Sequence, residues 1–388
     1  MKLIKEIKNI QLSVIFASLL LIIFGLFFLK PYANDKIRIG AEIAKSFKNN
    51  QTGYVVNLVC SPNGHLSNWA EEPPIFHIIN SIFTIPFDGD IYYKSAGVFL
   101  ILVLYLSLLL TTKQLKQRPL DTFDVFAPLS FPMIFLYLGR PLPDTLSTIF
   151  IVLFIYSVIK KFTHFSLIFG ILAVTTKILA IFPIFFFSFA FLIFTKRIDK
   201  KNFCFLCIYA FICNLPTVIW FIYLLEMKIN NPFFNQENFN GIYHLKKNSF
   251  EILFTIKYWS RMFKWNFIKG ISIPIFLLFC YQIKLILKKS YFNTINKIIL
   301  TTIASQFLYQ TIVRGQIEHP WYSFYYLPFY YLFITYNSNF ISKKLLYIIL
   351  IIGIFVSIPY KNINMPSMEN IIIPINSIGW TLPCHQTG

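Results

Sequence analysis

The acids and bases of this chain that have the types and spacing for chemistry stand beside long apolar stretches, seldom inside them. Asp35, Glu42, Glu71, Glu72, Asp88, Asp90, Asp144 and Glu318 all flank such stretches. A carboxylate within hydrogen-bond reach of a hydroxyl can take its proton, and Asp35, placed directly after the first stretch, is the candidate general base. Arg38, Arg140, Lys177 and Arg314 are candidate cations for a phosphate, because preorganised positive charge stabilises negative charge developing on a leaving group.

The local contexts sharpen these roles. In WAEEPPIFHI, Pro73 and Pro74 cannot sit inside a regular helix, so they start one at Ile75 and place Glu71 and Glu72 at its N-terminus. Those carboxylates either bind a sugar or do no more than complement the helix dipole. In LYLGRPLPD, Gly139, Pro141 and Pro143 enforce a turn carrying Arg140 and Asp144. Arg140 either grips a phosphate with two parallel hydrogen bonds or pairs with Asp144 structurally. Lys177 interrupts GILAVTTKILAIFPIFFF, where a lone cation has to pair, snorkel or bind something. In RGQIEHPWYSFYYLPFYYLF, Arg314, Glu318 and His319 precede an aromatic belt of the kind found at membrane interfaces.

Other chemistries find little footing. Asp35, Glu71 and Glu72 with a His could hold a divalent cation, but their scattered spacing makes this the lesser reading, and no cofactor is required. Nucleophile-elbow, Walker and dinucleotide patterns are missing. Cys204 and Cys207 form a C-x-x-C within an apolar stretch, where core packing outweighs redox or zinc chemistry. Cys60 and Cys384, the two cysteines outside the apolar stretches, either bridge in an oxidising compartment or stay as thiols.

The elements that must position these residues belong to a membrane. Of 388 residues 56% are hydrophobic, and the 13% that are charged make up about half the share usual in soluble domains. An ordinary soluble enzyme, a coiled coil and a disordered chain are thereby excluded. Apolar stretches lie near 12–29, 95–112, 124–138, 145–159, 163–176, 178–194, 203–225, 269–287, 298–313, 322–337 and 345–360. They predict an all-α polytopic membrane protein of about eleven transmembrane helices, with the two stretches around Lys177 forming either a hairpin or one bent element.

Basic residues fall in alternate connections: Lys113, Lys116 and Arg118, then Lys160 and Lys161, then Lys196, Arg197, Lys200 and Lys201, then Lys284, Lys288, Lys289 and Lys297, then Lys343 and Lys344. Together with Lys2, Lys5 and Lys8 they place the N-terminus in the cytoplasm, so the net charge of +19 reads as orientation and not as nucleic-acid binding. The large outer segments are then 30–94, 226–268 and the tail 361–388, all within a single membrane domain. Ile37, Ala41, Ile43, Ala44 and Phe47 are spaced as one face of a short interfacial helix in the first of them. A secondary transporter or flippase would need charge near the bilayer midplane, and a polymerase of lipid-linked glycans usually has its major outer loop late in the chain. The charge distribution here favours a site at the outer interface.

The order of these segments resembles the GT-C membrane glycosyltransferases, in the branch of the dolichyl-phosphate-mannose-protein mannosyltransferases and the aminoarabinose-lipid A transferases. The resemblance rests on an acid after the first span, the E-x-PP turn leading into HI, the GRPLPD turn, the G-x-L-A-x-x-T-K segment and the late H-x-W-Y-x-x-Y-Y-L-P, and reaches to about Tyr336. It implies transfer of a sugar from a polyprenyl-phosphate donor to a lipid, glycan or protein acceptor outside the cytoplasm, as at the outer face of a bacterial inner membrane. Under it Asp35 matches the reaction-centre acid, Arg38 a following base, and Glu71 the acid before the double proline. Arg140 and Asp144 match the R-x-x-x-D turn, Lys177 the T-K pair, and His319 the late His. Two departures stand out: Glu72 replaces a Lys of the aminoarabinose branch, and the Gly-Pro that often follows T-K is replaced by Ile178 and Leu179.

Overall fold

The computed structural model describes residues 2–28, 56–60, 66–69, 75–76, 79, 89–138, 142–196, 200–226, 256–288, 292–312 and 324–358. Among them the chain is helical, apart from one antiparallel pair of strands, β1 (Val56–Cys60) and β2 (Leu66–Trp69). The register shifts between Val56 and Val59, as at a β-bulge. This pair adds to the all-helical expectation for the first outer segment. Val56, Val59 and Trp69 suit a pleated surface, and the intervening Pro62, Asn63 and Gly64 are turn formers. The interfacial helix expected near 37–47 lies outside the described residues. Ile75 and Phe76, directly after the double proline, are helical, and Phe76 is buried.

The first helix, α1 (Lys2–Ile23), continues into a π-helical turn at Phe24–Phe28. After it come α2 (Gly89–Lys116), α3 (Thr122–Phe126), α4 (Pro132–Tyr137), α5 (Pro143–Ile159), α6 (Thr163–Thr176), α7 (Ile181–Phe194) and α8 (Lys200–Glu226). The later part holds α9 (Ile256–Phe263), a π-helical segment Lys264–Ile271, α10 (Ile273–Lys288), α11 (Thr294–Ile312), α12 (Leu327–Tyr336) and α13 (Lys343–Ser357). Three stretches among the described residues are long and apolar enough to cross a bilayer: Ile10–Phe27, Lys94–Lys116 and Leu206–Tyr223. The helices Pro143–Ile159 and Thr163–Thr176 and the stretch Ile178–Phe194 are apolar but shorter. Leu12, Phe27, Phe211, Leu277 and Phe355 are exposed, which suits an outer surface bathed in lipid.

The apolar stretch expected as one span over 124–138 is broken into α3, a 3-10 turn at Ala127–Ser130, and α4. Pro128 and Pro132 each lack an N–H, so the ladder cannot run through. The Ser130 carbonyl, released by that break, accepts from Ser272 Oγ at 3.0 Å and from Ser357 Oγ at 2.9 Å. Gly353 lets α13 come this close, since a Cβ there would lie 2.8 Å from Ser130 Cβ. Hydrocarbon offers no water to satisfy such a carbonyl, so the bundle itself must do so.

Around Lys177 the chain forms a hairpin and not one bent element. Lys177 is extended at φ −154, and a 3-10 turn, Ile178–Ala180, follows it. Thr163 at the start of α6 and Thr195 at the end of α7 line the same cavity, so the two helices run antiparallel with Lys177 at the tip. By the same reasoning α5 descends from Asp144 towards Lys160, about 25 Å for its 17 residues. The bundle therefore has one basic end, carrying Lys113, Lys116, Lys160, Lys161, Lys196 and Lys297, and an opposite end carrying Asp144 and Lys177.

The core is aromatic. Tyr105, Tyr137, Tyr309, Tyr325, Tyr326 and Tyr331 are fully buried, as are Phe131, Phe154, Phe324, Phe329 and Phe333. The belt expected at the membrane interface after His319 thus turns inward over residues 324–334 and packs at the centre of the bundle. Cys204 and Cys207 correct a second expectation: both are exposed on α8, whereas Cys213, one and a half turns further along, is the buried cysteine.

Candidate functional site

Asp144 lies in the first turn of α5, directly after Pro143, which takes the helix start where a missing N–H costs nothing. A carboxylate in a first turn is favoured by the helix dipole. Its side chain is buried, and the Tyr325 hydroxyl donates to Asp144 Oδ1. The Asp144 backbone carbonyl accepts from Thr148 Oγ1 at 2.8 Å. Phe324, next to Tyr325, stacks on Tyr137 with ring centroids 4.2 Å apart. The start of α12 is thereby clamped between the end of α4 and the start of α5, and this fixes the phenol against the carboxylate.

Lys177 reaches the same end of the bundle by a different route. Ser147 Oγ and the Lys177 backbone N–H both donate to the Ala173 carbonyl, each at 3.0 Å. Ser147 is one turn beyond Asp144 on α5, and Lys177 one turn beyond Ala173 on α6. This register sets Asp144 and Lys177 at the same level on neighbouring helices. Thr175 and Thr176 donate their hydroxyls back to the carbonyls of Ile171 and Leu172 one turn earlier, both at 2.7 Å, which ties their side chains to α6 itself. Lys177 itself is buried, at 8% exposure.

Deeper in the bundle, Tyr330 Oη donates to Gln306 Oε1 at 3.0 Å, and Gln306 Nε2 donates to Asn266 Oδ1 at 3.0 Å. All three side chains are buried. The chain of bonds ties α12 and α11 to the π-helical segment Lys264–Ile271. Neither this chain nor the Tyr325 contact was foreseen from sequence. The only signal for Tyr325 was its place in the late tyrosine cluster, and for Gln306 its being an amide inside an apolar stretch.

Of the sequence candidates, Asp144 and Lys177 are brought to one end of the fold. Asp35, Arg38, Glu71, Glu72, Arg140, Arg314, Glu318 and His319 lie outside the described residues, as does Cys384, the second cysteine of the candidate bridge. Among the described residues no group of three or more His, Cys, Asp or Glu is arranged to hold a metal, and the acids that would do so are in the undescribed segments. No family model, curated protein or solved structure matches this chain.

Proposed function

We propose that the chain is a multi-pass membrane glycosyltransferase that moves a sugar from a polyprenyl-phosphate donor to an acceptor at the face opposite its basic end. The observation that carries this reading is that two unlike buried groups share that end: a carboxylate held by Tyr325 and a lysine at a hairpin tip, on adjacent helices. The antiparallel run of α5, α6 and α7 fits a chain of about eleven crossings with its basic end in the cytoplasm. In this reading the acceptor oxygen attacks the anomeric carbon and its proton passes to Asp35. The bond from that carbon to the donor phosphate breaks, and the phosphate leaves with the electron pair. Lys177, with Arg38, Arg140 and Arg314, receives the charge developing on it. Asp144, Glu71, Glu72, Glu318 and His319 orient the sugar and the acceptor. Among the described residues the charged side chains lie towards helix ends, which favours this reading over a flippase.

Purified protein incubated with labelled polyprenyl-phosphate sugars should transfer the sugar or hydrolyse the donor. Asp35→Asn should lower that turnover about 100-fold or more, while Glu42→Gln leaves it unchanged. Wild-type turnover in Asp35→Asn removes Asp35 from the mechanism, and failure to act on any polyprenyl-phosphate sugar defeats the reading as a whole.

A further inference from the structure

A cavity of about 680 Å³ opens at the basic end, far from Asp144 and Lys177, and nothing in the transfer reading uses it. It lies within the roughly 300–1,000 Å³ typical of small-ligand sites. The ends of α2, α5 and α7 and the beginnings of α6, α8 and α11 enclose it, together with Leu332 of α12. Its interior is apolar, with Phe154, Phe187, Ile298, Ile299 and Leu332 among the walls. Gln114, Gln117, Lys161 and Thr163 also line it, and no lining residue is acidic.

The mouth is built to hold cations in place. Lys161 is exposed and left-handed, at φ 61. Its N–H bonds the Val158 carbonyl at 3.1 Å, and the next N–H, of Phe162, bonds the Ser157 carbonyl at 2.8 Å. This is the closed helix ending in which glycine is usual, here carrying a lysine instead. Gln117 and Lys196 are left-handed as well, at φ 50 and 56, so three helix ends around the cavity turn sharply without a glycine. Lys297, beside the lining residue Ile298, holds its Nζ 5.9 Å from the Phe194 ring centroid and 5.8 Å from that of Phe292. Water has few partners in an apolar cavity of this kind. A hydrocarbon tail suits the walls, and an anion suits the mouth.

We propose that this cavity takes an acyl chain of an acidic phospholipid from the leaflet at the basic end, with the lipid phosphate on Lys161. Polybasic surfaces at a membrane face attract acidic headgroups in general. The cavity adds a fixed apolar slot below one particular lysine, which makes the interaction a site. It is independent of the transfer reading and survives if that reading fails.

The test uses the purified full-length protein, delipidated in mild detergent and titrated with phosphatidylglycerol or with phosphatidylcholine of the same chains, with bound lipid counted by native mass spectrometry. Phosphatidylglycerol should bind at least about tenfold more tightly than phosphatidylcholine, as a charge-assisted contact implies. Lys161→Asn, which removes the charge and still tolerates the left-handed backbone, should lower phosphatidylglycerol affinity about tenfold and phosphatidylcholine affinity less, because the choline cation already offsets the phosphate the two lipids share. Ser188→Trp, which fills the cavity from α7, should abolish binding of both lipids at this site. Equal affinity of the wild type for the two lipids overturns the proposal. So does a folded Ser188→Trp variant that still binds phosphatidylglycerol like wild type. If Ser188→Trp does not fold, Lys161→Asn decides alone: unchanged phosphatidylglycerol affinity overturns it.

Discussion

At Asp144 a buried carboxylate is held, among the described residues, by the hydroxyl of Tyr325. Tyr325 donates to it from the turn that leads into α12, 181 residues away in sequence, and the Phe324–Tyr137 stack holds the donor in position. Tyr325→Phe keeps the ring and its packing and removes only the hydroxyl. It should cost about 1–3 kcal/mol of stability, because a buried acceptor loses its partner. A lowered unfolding midpoint in detergent would show this, and an unchanged midpoint would mean that the phenol is not what holds the carboxylate. Asp144 and Lys177 were readable from sequence because each breaks a pattern, one at a proline-fixed turn and the other inside an apolar run. Tyr325 was not, since a buried tyrosine and an interfacial tyrosine look alike in an apolar sequence.

Among the elements, the helical stretches were readable and their faces were not. Lipid and protein core are both apolar, so the periodicity that marks the inner face of a helix in water carries little information here. Hence the tyrosines of α12 were expected at the interface and are buried, while Cys204 and Cys207 were expected to pack inward and are exposed. The break in 124–138 could be read from Pro128 and Pro132, but what satisfies it could not, because Ser272 and Ser357 are remote in sequence. At the other end of this broken element, Lys116 Nζ lies 2.5 Å from Asp124 Oδ1, with side-chain exposures of 2% and 0%. Lys116→Met should cost about 3–5 kcal/mol, since it strands a buried charge, whereas Lys116→Met with Asp124→Leu should recover most of the loss. Denaturation of both variants in the same micelles checks this, and equal stability of the single variant and the wild type would contradict it.

For the molecule as a whole, the asymmetry of charge predicts orientation. If the basic end is cytoplasmic, a single cysteine at Ser67 should be labelled in intact cells by a membrane-impermeant thiol reagent, in a background lacking other cysteines. A cysteine at Ser342, the N-cap of α13, should be labelled only after permeabilisation. Labelling of Ser342 alone from outside would invert the fold in the membrane. The bond from Ser357 to the Ser130 carbonyl bears on how such a chain is made. During synthesis the broken element leaves the ribosome more than two hundred residues before the serine that completes its hydrogen bonding. Until Ser272 arrives, that carbonyl has to face the aqueous interior of the insertion machinery or borrow a transient partner, and until α13 arrives it holds only one of its two serine donors. The last described helix is thus the latch on one of the earlier elements, and a stop codon ahead of α13 would leave an incompletely bonded bundle for the quality-control proteases to find.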